Sequence, residues 1–194
     1  AKGMGLDRRI GPKFLHAGPG YGGSCFPKDT HALQKIAEDT DYDFKIVRSV
    51  IEINDRQRDW MVEKVKGTMG NLRGKVLAIL GLSFKPNTDD IRDAPALYII
   101  ERVLKEGASV KAFDPAAMEE AKKVQKGIKY CKDAYETMDG SDGVLLITEW
   151  NQFRNLDLER VKGLLKTPVF IDMRNVYETE KMSQMGFTHV TVGR

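Results

Sequence analysis

The 194-residue sequence predicts an α/β protein in which a helical central segment precedes a parallel β-sheet covered by helices on both faces. One observation is that apolar, strand-like runs alternate with amphipathic stretches from Gly74 onward. Another is that runs such as KVLAILGL (75–82) and GVLLITEW (143–150) are continuously apolar, as in strands buried on both faces. Right-handed crossovers make such a sheet a doubly wound, Rossmann-like domain.

The helical segment comes first. Residues 1–24 are rich in glycine and basic side chains and predict irregular structure. Pro27 suits the first turn of a helix, which we expect to end near 40–41. An apolar stripe predicts a longer helix over 44–66. The polar run 54–58 interrupts that stripe, and we interpret it as a surface-facing section in preference to a polar contact within an oligomer.

Glycines between 67 and 74 predict a linker, which divides the chain into a first domain (1–70) and a second (71–194). The predicted strands of the second domain are 75–82, 109–115, 128–133, 143–150, 168–175 and 187–193. The predicted helices are 95–107, 116–126, 156–165 and 178–185. We expect Asp93 to cap the first of these helices and Gly107 to end it.

Composition excludes several classes of protein. The 31 basic and 28 acidic residues give a net charge of +3, too balanced to predict a nucleic-acid-binding face. No apolar run reaches the ~18–20 residues of a membrane helix. Two cysteines and three histidines without ligand spacing predict neither a metal site nor a disulfide framework, and they favour a reducing, cytoplasmic location. The chain begins without methionine, and we expect it to be a fragment.

A ligand of a doubly wound sheet binds outside the carboxyl ends of the strands. The loop after the first strand, SFKPNTDDIRDA (83–94), exceeds the usual ~2–6 residues and carries Lys85 and Arg92. Two cations there suit a phosphorylated ligand, but pairing with neighbouring aspartates is an equal alternative. Asp114, at the end of the second strand, is a candidate ribose contact or a turn former. Arg174, also at a strand end, is a candidate anion contact.

The stretch GPGYGGSCFPKDTH (18–31) surrounds Cys25 with glycines that permit a sharp turn. Cys25 is expected at a helix N-terminus, where the dipole and Lys28 favour a thiolate suited to nucleophilic attack. A buried structural cysteine is an equal alternative. Asp29 lies one turn from Cys25 and is a candidate for orienting water, or simply an acid favoured by the helix dipole. Cys131 has no such neighbours and is interpreted as structural.

Four segments (7–29, 75–97, 142–153 and 170–178) resemble, in the same order, segments of the UDP-glucose/GDP-mannose dehydrogenase family. The resemblance covers nearly the whole chain. It implies an NAD-dependent oxidation of the C6 alcohol of UDP-glucose to a carboxylate in two steps. A cysteine holds the intermediate as a thiohemiacetal and then a thioester, which water hydrolyses.

The resemblance assigns roles residue by residue. Cys25 matches the nucleophile, and Asp29 matches a residue that assists hydrolysis. Lys28 and Arg92 match contacts to NAD, which the family binds mainly through an N-terminal domain. Arg9 matches an arginine that reaches the sugar of a neighbouring subunit. The full set of implied substrate contacts is Arg9, Phe14, His16, Ala17, Gly18, Pro19, Gly20, Tyr21, Gly22, Phe84, Lys85 and Arg174.

The implied partners are UDP-glucose or a related sugar nucleotide and a second copy of the chain, bound through the central helix; no nucleic acid or membrane is implied. The family's N-terminal Rossmann domain, with its G-x-G-x-x-G turn and a later lysine and asparagine, has no counterpart here. We therefore expect this part of the enzyme to be inactive alone. A stand-alone sugar-nucleotide-binding and dimerisation module is the alternative, although Cys25 favours the enzyme.

Overall fold

A computed structural model describes residues 1–193 and contains a six-stranded sheet in the order β3-β2-β1-β4-β5-β6. The strands are β1 Val76–Leu80, β2 Ser109–Phe113, β3 Lys129–Tyr130, β4 Gly143–Leu146, β5 Val169–Asp172 and β6 Thr188–Thr191. Every neighbouring pair is parallel, and Leu80 is in register with both Phe113 and Leu146. The predicted α/β class with a doubly wound parallel sheet is confirmed.

The helices are α1 Lys2–Gly5, α2 Cys25–Asp39, α3 Lys45–Met69, α4 Pro95–Lys105, α5 Met118–Val124, α6 Ala134–Met138, α7 Leu158–Leu164 and α8 Thr179–Gln184, with a 3-10 turn at Asn151–Asn155. The prediction missed α6, and it treated the stretch that contains α1 as irregular. The backbone N–H of Glu136 donates to Asp133 over 2.7 Å, which caps α6. The carboxylate of Glu136 in turn accepts from the backbone N–H of Lys132 over 2.9 Å, so DAYE at 133–136 is the signal that was overlooked.

The start of α4 also differs from the prediction. Asp93 does not cap this helix; the N-cap is Ala94, which makes no side-chain capping bond. Asp93 instead adopts a left-handed backbone conformation, with φ of 47°, and turns its carbonyl toward α3. Gly107 ends α4 as predicted, with φ of 86°, a conformation that glycine adopts without steric cost.

Side chains alternate across the sheet and divide the core into two layers. Leu77 and Ile79 of β1 face a layer that includes the C-terminal half of α3, together with α4 and α5. Ala78 and Leu80 face the opposite layer, which α6, α7 and α8 cover with Phe153 of the 3-10 turn. Helices on both faces explain why β1 and β4 read as continuous apolar runs.

Helix α3 joins the two parts of the chain. Its C-terminal half buries Met61, Val62, Val65 and Met69 in the sheet core. Its N-terminal half packs against α2 and leaves Ile46 and Ile53 exposed. At about 1.5 Å per residue, the helix spans roughly 37 Å. The predicted domain division at residue 70 stays a prediction, and Arg194, the last residue of the predicted second domain, lies outside the described residues.

No helix within residues 1–193 has the length and hydrophobicity needed to cross a bilayer. No cluster of three or more histidine, cysteine, aspartate or glutamate side chains in the same part of the chain is arranged to hold a metal ion.

Candidate active site

The order of strands reverses at β1, which lies between β2 and β4, so this is where a doubly wound sheet places its ligand crevice. The β1–α4 loop (residues 81–94) leaves the sheet there and meets the glycine loop (residues 17–24). The backbone N–H of Gly23 donates to the carbonyl of Arg92 over 2.8 Å. A Cβ atom on Gly23 would lie 2.8 Å from the ring of Phe84, and one on Gly22 would clash with the carbonyl of Asp93. Glycine at both positions therefore lets the two loops touch.

The polar run of α3 holds the glycine loop. Asn54 is buried and bonds both backbone groups of Tyr21: it accepts from the N–H over 2.7 Å and donates to the carbonyl over 3.2 Å. Gln57 donates to the carbonyl of Gly18 over 2.8 Å. Arg58 donates to the carbonyl of Tyr21 over 2.9 Å. The interpretation of this run as a surface-facing section is wrong for Asn54, Gln57 and Arg58. Backbone groups in an irregular loop need hydrogen-bond partners, and these three side chains provide them.

Cys25 is the first residue of α2, and its side chain is exposed, as expected for a reactive cysteine and not for a buried structural one. Two cations flank it. Lys28 forms an ion pair of 2.9 Å with Asp29, and this carboxylate raises the pKa of Lys28, with a small contribution from Cys25. Asp90 raises the pKa of Arg92 in the same way, and the nearby Cys25 raises it by a smaller amount.

A cleft of about 700 Å³ opens beside the start of α2. Its lining includes Ser24, Lys28, Arg58, Arg92 and, from α2, His31. Three cationic side chains from three different segments therefore converge on one concave surface, and such a set suits the negative charges of a dinucleotide's phosphates. The residues present fit the implied NAD contacts of Lys28 and Arg92.

A second cavity, of about 340 Å³, lies at the carboxyl ends of β4 and β5. His16, Glu149, Arg154 and Arg174 are among its lining residues. Arg174 pairs with Glu149 through two contacts of 2.5 Å, from Nε to Oε2 and from Nη2 to Oε1, and a Cβ atom on Gly18 would clash with its guanidinium. The fold thus brings His16, Gly18 and Arg174 together. Arg154 also lines this cavity, and nothing in the sequence pointed to it.

The two cations of the β1–α4 loop have different surroundings. Arg92 forms a bidentate pair with Asp90, with Nε and Nη2 at 2.9 and 2.7 Å from its carboxylate oxygens. Local pairing, the alternative to ligand binding, is therefore present for Arg92. Lys85 is exposed and makes no ion pair among the described residues; its Nζ lies 5.2 Å from the centre of the Phe84 ring. Lys85 is free to bind an anion from solution.

The other implied substrate contacts differ in their burial and in their distance from the two cavities. Ala17 packs against the sheet core, and Pro19 is buried. Tyr21 lines the larger cleft, and Gly20 sits against Asn54 with φ of 109°. Phe14 is 88% exposed.

Arg9 lies away from both cavities. Its Nη2 pairs with Asp7 at 2.6 Å on the surface. The predicted contact of Arg9 with a neighbouring subunit stays a prediction.

Two further candidates have structural roles. Asp114 is buried, and its carboxylate accepts from the backbone N–H groups of Leu82, Ser83, Ala116 and Ala117 at 2.7–3.0 Å, and from two side chains. Because both oxygens are occupied, Asp114 forms the turn and has no free acceptor for a ribose hydroxyl. Cys131 is 2% exposed, and burial raises the pKa of its thiol, in agreement with the structural interpretation.

The spacing G-x-G-x-x-G does occur in the chain, at Gly18, Gly20 and Gly23. In a dinucleotide-binding unit, this spacing follows a strand and opens a helix. Here α2 follows the glycines, but the segment before them holds only the short helix α1 and irregular backbone. The match is therefore coincidental: Gly18 sits against Arg174, Gly20 against Asn54 and Gly23 against Phe84 of the β1–α4 loop.

Comparisons with known proteins agree on one family. Residues 78–179 match the model of the UDP-glucose/GDP-mannose dehydrogenase family, UDP binding domain, and residues 1–56 match the central domain of the same family. The chain is 47% identical, over its whole length, to a UDP-glucose 6-dehydrogenase of Rhizobium meliloti (strain 1021) and to one of Bacillus subtilis (strain 168). It covers 45% and 42% of those proteins, so it spans about half the length of the curated relatives that it matches.

Solved structures give the same result for the fold. The structure of a UDP-glucose dehydrogenase from Pyrobaculum islandicum superposes with a TM-score of 0.83 at 35% identity, over 93% of this chain and 40% of that one. The NDP-N-acetyl-D-galactosaminuronic acid dehydrogenase of Methanosarcina mazei Go1 superposes with a TM-score of 0.86 at 24% identity, over 100% of this chain and 43% of that one. The second likeness concerns the fold alone.

Proposed function

Because this chain belongs to the UDP-glucose/GDP-mannose dehydrogenase family, we propose that it supplies the nucleophile and the UDP-binding part of an NAD-dependent UDP-glucose 6-dehydrogenase. The observation that carries the proposal is the exposed Cys25 at the start of α2, beside a cleft lined by Lys28 and Arg92. A sugar-nucleotide-binding module has no need of such a cysteine. We place the reaction in the cytoplasm, because a reducing compartment keeps an exposed thiol such as that of Cys25 in its reduced form.

The nucleophile acts between two oxidations. Once the C6 alcohol of the sugar has become an aldehyde, the Cys25 sulfur attacks its carbonyl carbon and forms a thiohemiacetal. The second oxidation converts this adduct into a thioester. NAD, when bound, accepts the hydride in each oxidation. The attacking sulfur is exposed at the start of α2, with the cations of Lys28 and Arg92 nearby.

Asp29 acts in the last step. It lies one turn of α2 beyond Cys25, where its carboxylate can hold the water that attacks the thioester and accept a proton from it. In the present structure, this carboxylate binds Lys28 and is mostly exposed to solvent, so both groups are free to rearrange around a substrate.

The nucleotide part of the substrate is placed between the glycine loop and the carboxyl ends of the strands. Lys85 binds the diphosphate, since it is a cation without an ion pair in the described chain. His16 and Arg174 share the smaller cavity and contact the rest of the nucleotide. Glu149 holds Arg174 in place through their ion pair and one hydrogen bond.

The predicted homodimer forms through the central helix. Exposed apolar side chains continue along α2 and the N-terminal half of α3: Leu33, Ile36, Ile46, Val50 and Ile53. A surface of this kind is typical of a protein interface. Sedimentation equilibrium over a range of concentrations measures the mass, and a monomer at every concentration would rule out this assignment.

UDP binding tests the proposed function. In calorimetric titrations we expect the chain to bind UDP more tightly than GDP and Lys85→Ala to weaken UDP binding by about 1–3 kcal/mol, as for a lost charge-assisted hydrogen bond. Lys123→Ala, which removes an exposed lysine of α5, is the matched control and should leave the affinity unchanged. Equal affinities for Lys85→Ala and the control would return Lys85 to a solvated role, and a preference for GDP would favour another sugar nucleotide.

A further inference from the structure

One arginine of α3 connects the glycine loop to the β1–α4 loop. Nη2 of Arg58 donates to the carbonyl of Tyr21 over 2.9 Å and to the carbonyl of Asp93 over 3.2 Å. Tyr21 lies four residues before Cys25, and Asp93 directly follows Arg92. The loops also bond directly, from the N–H of Gly23 to the carbonyl of Arg92. The position of Arg92 relative to Cys25 therefore depends on this set of backbone contacts.

We propose that Arg58, with Asn54 beside it, is a positioning residue that holds Arg92 next to Cys25. The proposal rests on the proposed role of Cys25 as nucleophile. Asn54 fixes the glycine loop to α3 through both backbone groups of Tyr21, and Arg58 adds the β1–α4 loop to the same helix. An arginine suits this task because Nη2, held in the plane of the guanidinium, carries two hydrogens and donates to both loops, whereas the ammonium of a lysine rotates freely.

The burial of α3 makes it a rigid support for this arrangement. Met61 and Val65, one and two turns beyond Arg58, are fully buried in the sheet core, so the helix does not move independently of the sheet. Arg92, by contrast, is exposed, and its side-chain partner Asp90 belongs to the same loop. The pair between Arg92 and Asp90 would persist if the whole loop shifted, and so it cannot by itself fix the distance to Cys25.

Removing Arg58 has a definite expected effect on the thiol. A cation held near a cysteine increases the thiolate fraction and hence the rate of attack on an electrophile. Because Cys25 is already exposed, loosening the loops adds little access for a small reagent. The displacement of the Arg92 charge therefore outweighs any gain in access, and Cys25 should react more slowly.

The measurement is the second-order rate constant for alkylation of Cys25 by iodoacetamide at pH 7, without ligand, followed by peptide mapping of the 194-residue chain. We expect Arg58→Ala to lower this constant by up to about fivefold, the upper end of the effect of one solvent-exposed charge pair. Arg58→Lys should fall between this variant and the wild type. Arg56→Ala is the matched control: Arg56 is exposed on the same helix and makes no side-chain hydrogen bond or ion pair within residues 1–193. It should leave the constant unchanged.

A double-mutant cycle tests whether Arg58 acts through Arg92. If it does, Arg92→Ala lowers the rate on its own, and adding Arg58→Ala lowers it no further. Independent, multiplicative effects of the two substitutions would overturn the proposal. So would a rate for Arg58→Ala equal to that of the wild type, or a faster one.

Two internal checks complete the experiment. Cys131 is buried, so its labelling reports unfolding. If Arg58→Ala exposes Cys131, then Arg58→Lys decides, and a wild-type rate for that variant contradicts the proposal. Calorimetry with UDP on the same proteins separates the two hypotheses: a wild-type chain that does not bind UDP counts against the proposed function, while the ligand-free alkylation rates still test Arg58.

Discussion

Cys25 and Cys131 occupy opposite environments in one chain. Cys25 is exposed at a helix N-terminus with Lys28 and Arg92 nearby, whereas Cys131 is buried and follows β3. The sequence distinguished them through local features: glycines and a proline surround Cys25, and KYCKD surrounds Cys131. At the residue scale, the difference in exposure thus follows from the position in secondary structure, which local sequence predicts well.

Alkylation followed by peptide mapping over a pH series tests this contrast. We expect Cys25 to be labelled first near neutral pH, because burial both blocks access to Cys131 and raises the pKa of its thiol. The two cysteines serve as each other's control in the same molecule. Labelling of Cys131 before Cys25, or labelling of Cys25 only above about pH 8.5, the value for a free thiol, would support a structural role for Cys25.

At the scale of elements, α3 is one helix with two different environments. Val65, on the C-terminal half, is fully buried in the sheet core, whereas Val50, on the N-terminal half, is 41% exposed. The same substitution at both positions therefore compares the two halves. It also tests whether the exposed half is covered in solution.

We expect Val65→Ala to lower the free energy of unfolding by about 1–3 kcal/mol, since it removes two buried methyl groups and leaves a cavity. Val50→Ala should cost within about 0.5 kcal/mol. Urea unfolding at low and high protein concentration measures both values. A cost for Val50→Ala that approaches that of Val65→Ala, and grows with concentration, would indicate that a second copy covers the exposed half.

The elements that were predicted correctly carry their signal locally. Continuous apolar runs gave the strands, and Pro27 and Gly107 marked helix ends in the sequence. The polar run of α3 could not be interpreted in this way, because its partner is the backbone of Tyr21, 33 residues earlier in the chain. Asp93 failed as a predicted cap for the same reason: its carbonyl bonds Arg58, 35 residues away. Polar contacts between distant segments produce no periodic pattern in the sequence from which they could be predicted.

At the scale of the whole molecule, the candidate site depends on the contact between two regions of the chain. The sheet supplies the β1–α4 loop and Arg174 at its carboxyl edge, and the N-terminal region supplies the glycine loop and Cys25. The C-terminal half of helix α3 is buried in the sheet core, and the polar side chains of the same helix hold the glycine loop. Sequence analysis located both sets of residues, but only the fold places them against each other, through Gly22, Gly23 and the polar side chains of α3.

The stability of the molecule in alkali should depend on Tyr177. Burial raises the pKa of its phenol to about 12, and its hydroxyl donates a hydrogen bond of 2.5 Å to the carbonyl of Phe153, a contact that requires the neutral form. This residue links the β5–α8 connection to the 3-10 turn, on the face of the sheet opposite α3.

Between about pH 10, where an unfolded tyrosine ionises, and about pH 12, the folded state keeps this proton and the unfolded state releases it. The stabilisation is therefore complete below pH 10 and is lost as pH rises toward 12. We expect Tyr177→Phe to be less stable than the wild type at pH 8, because it lacks the hydrogen bond, and to lose about 1–2 kcal/mol less between pH 10 and pH 11.5. Tyr42→Phe, which alters an exposed ring, should follow the wild type. Urea unfolding across this range measures the difference, and parallel curves for wild type and Tyr177→Phe would show that Tyr177 ionises as readily in the folded chain as in the unfolded one.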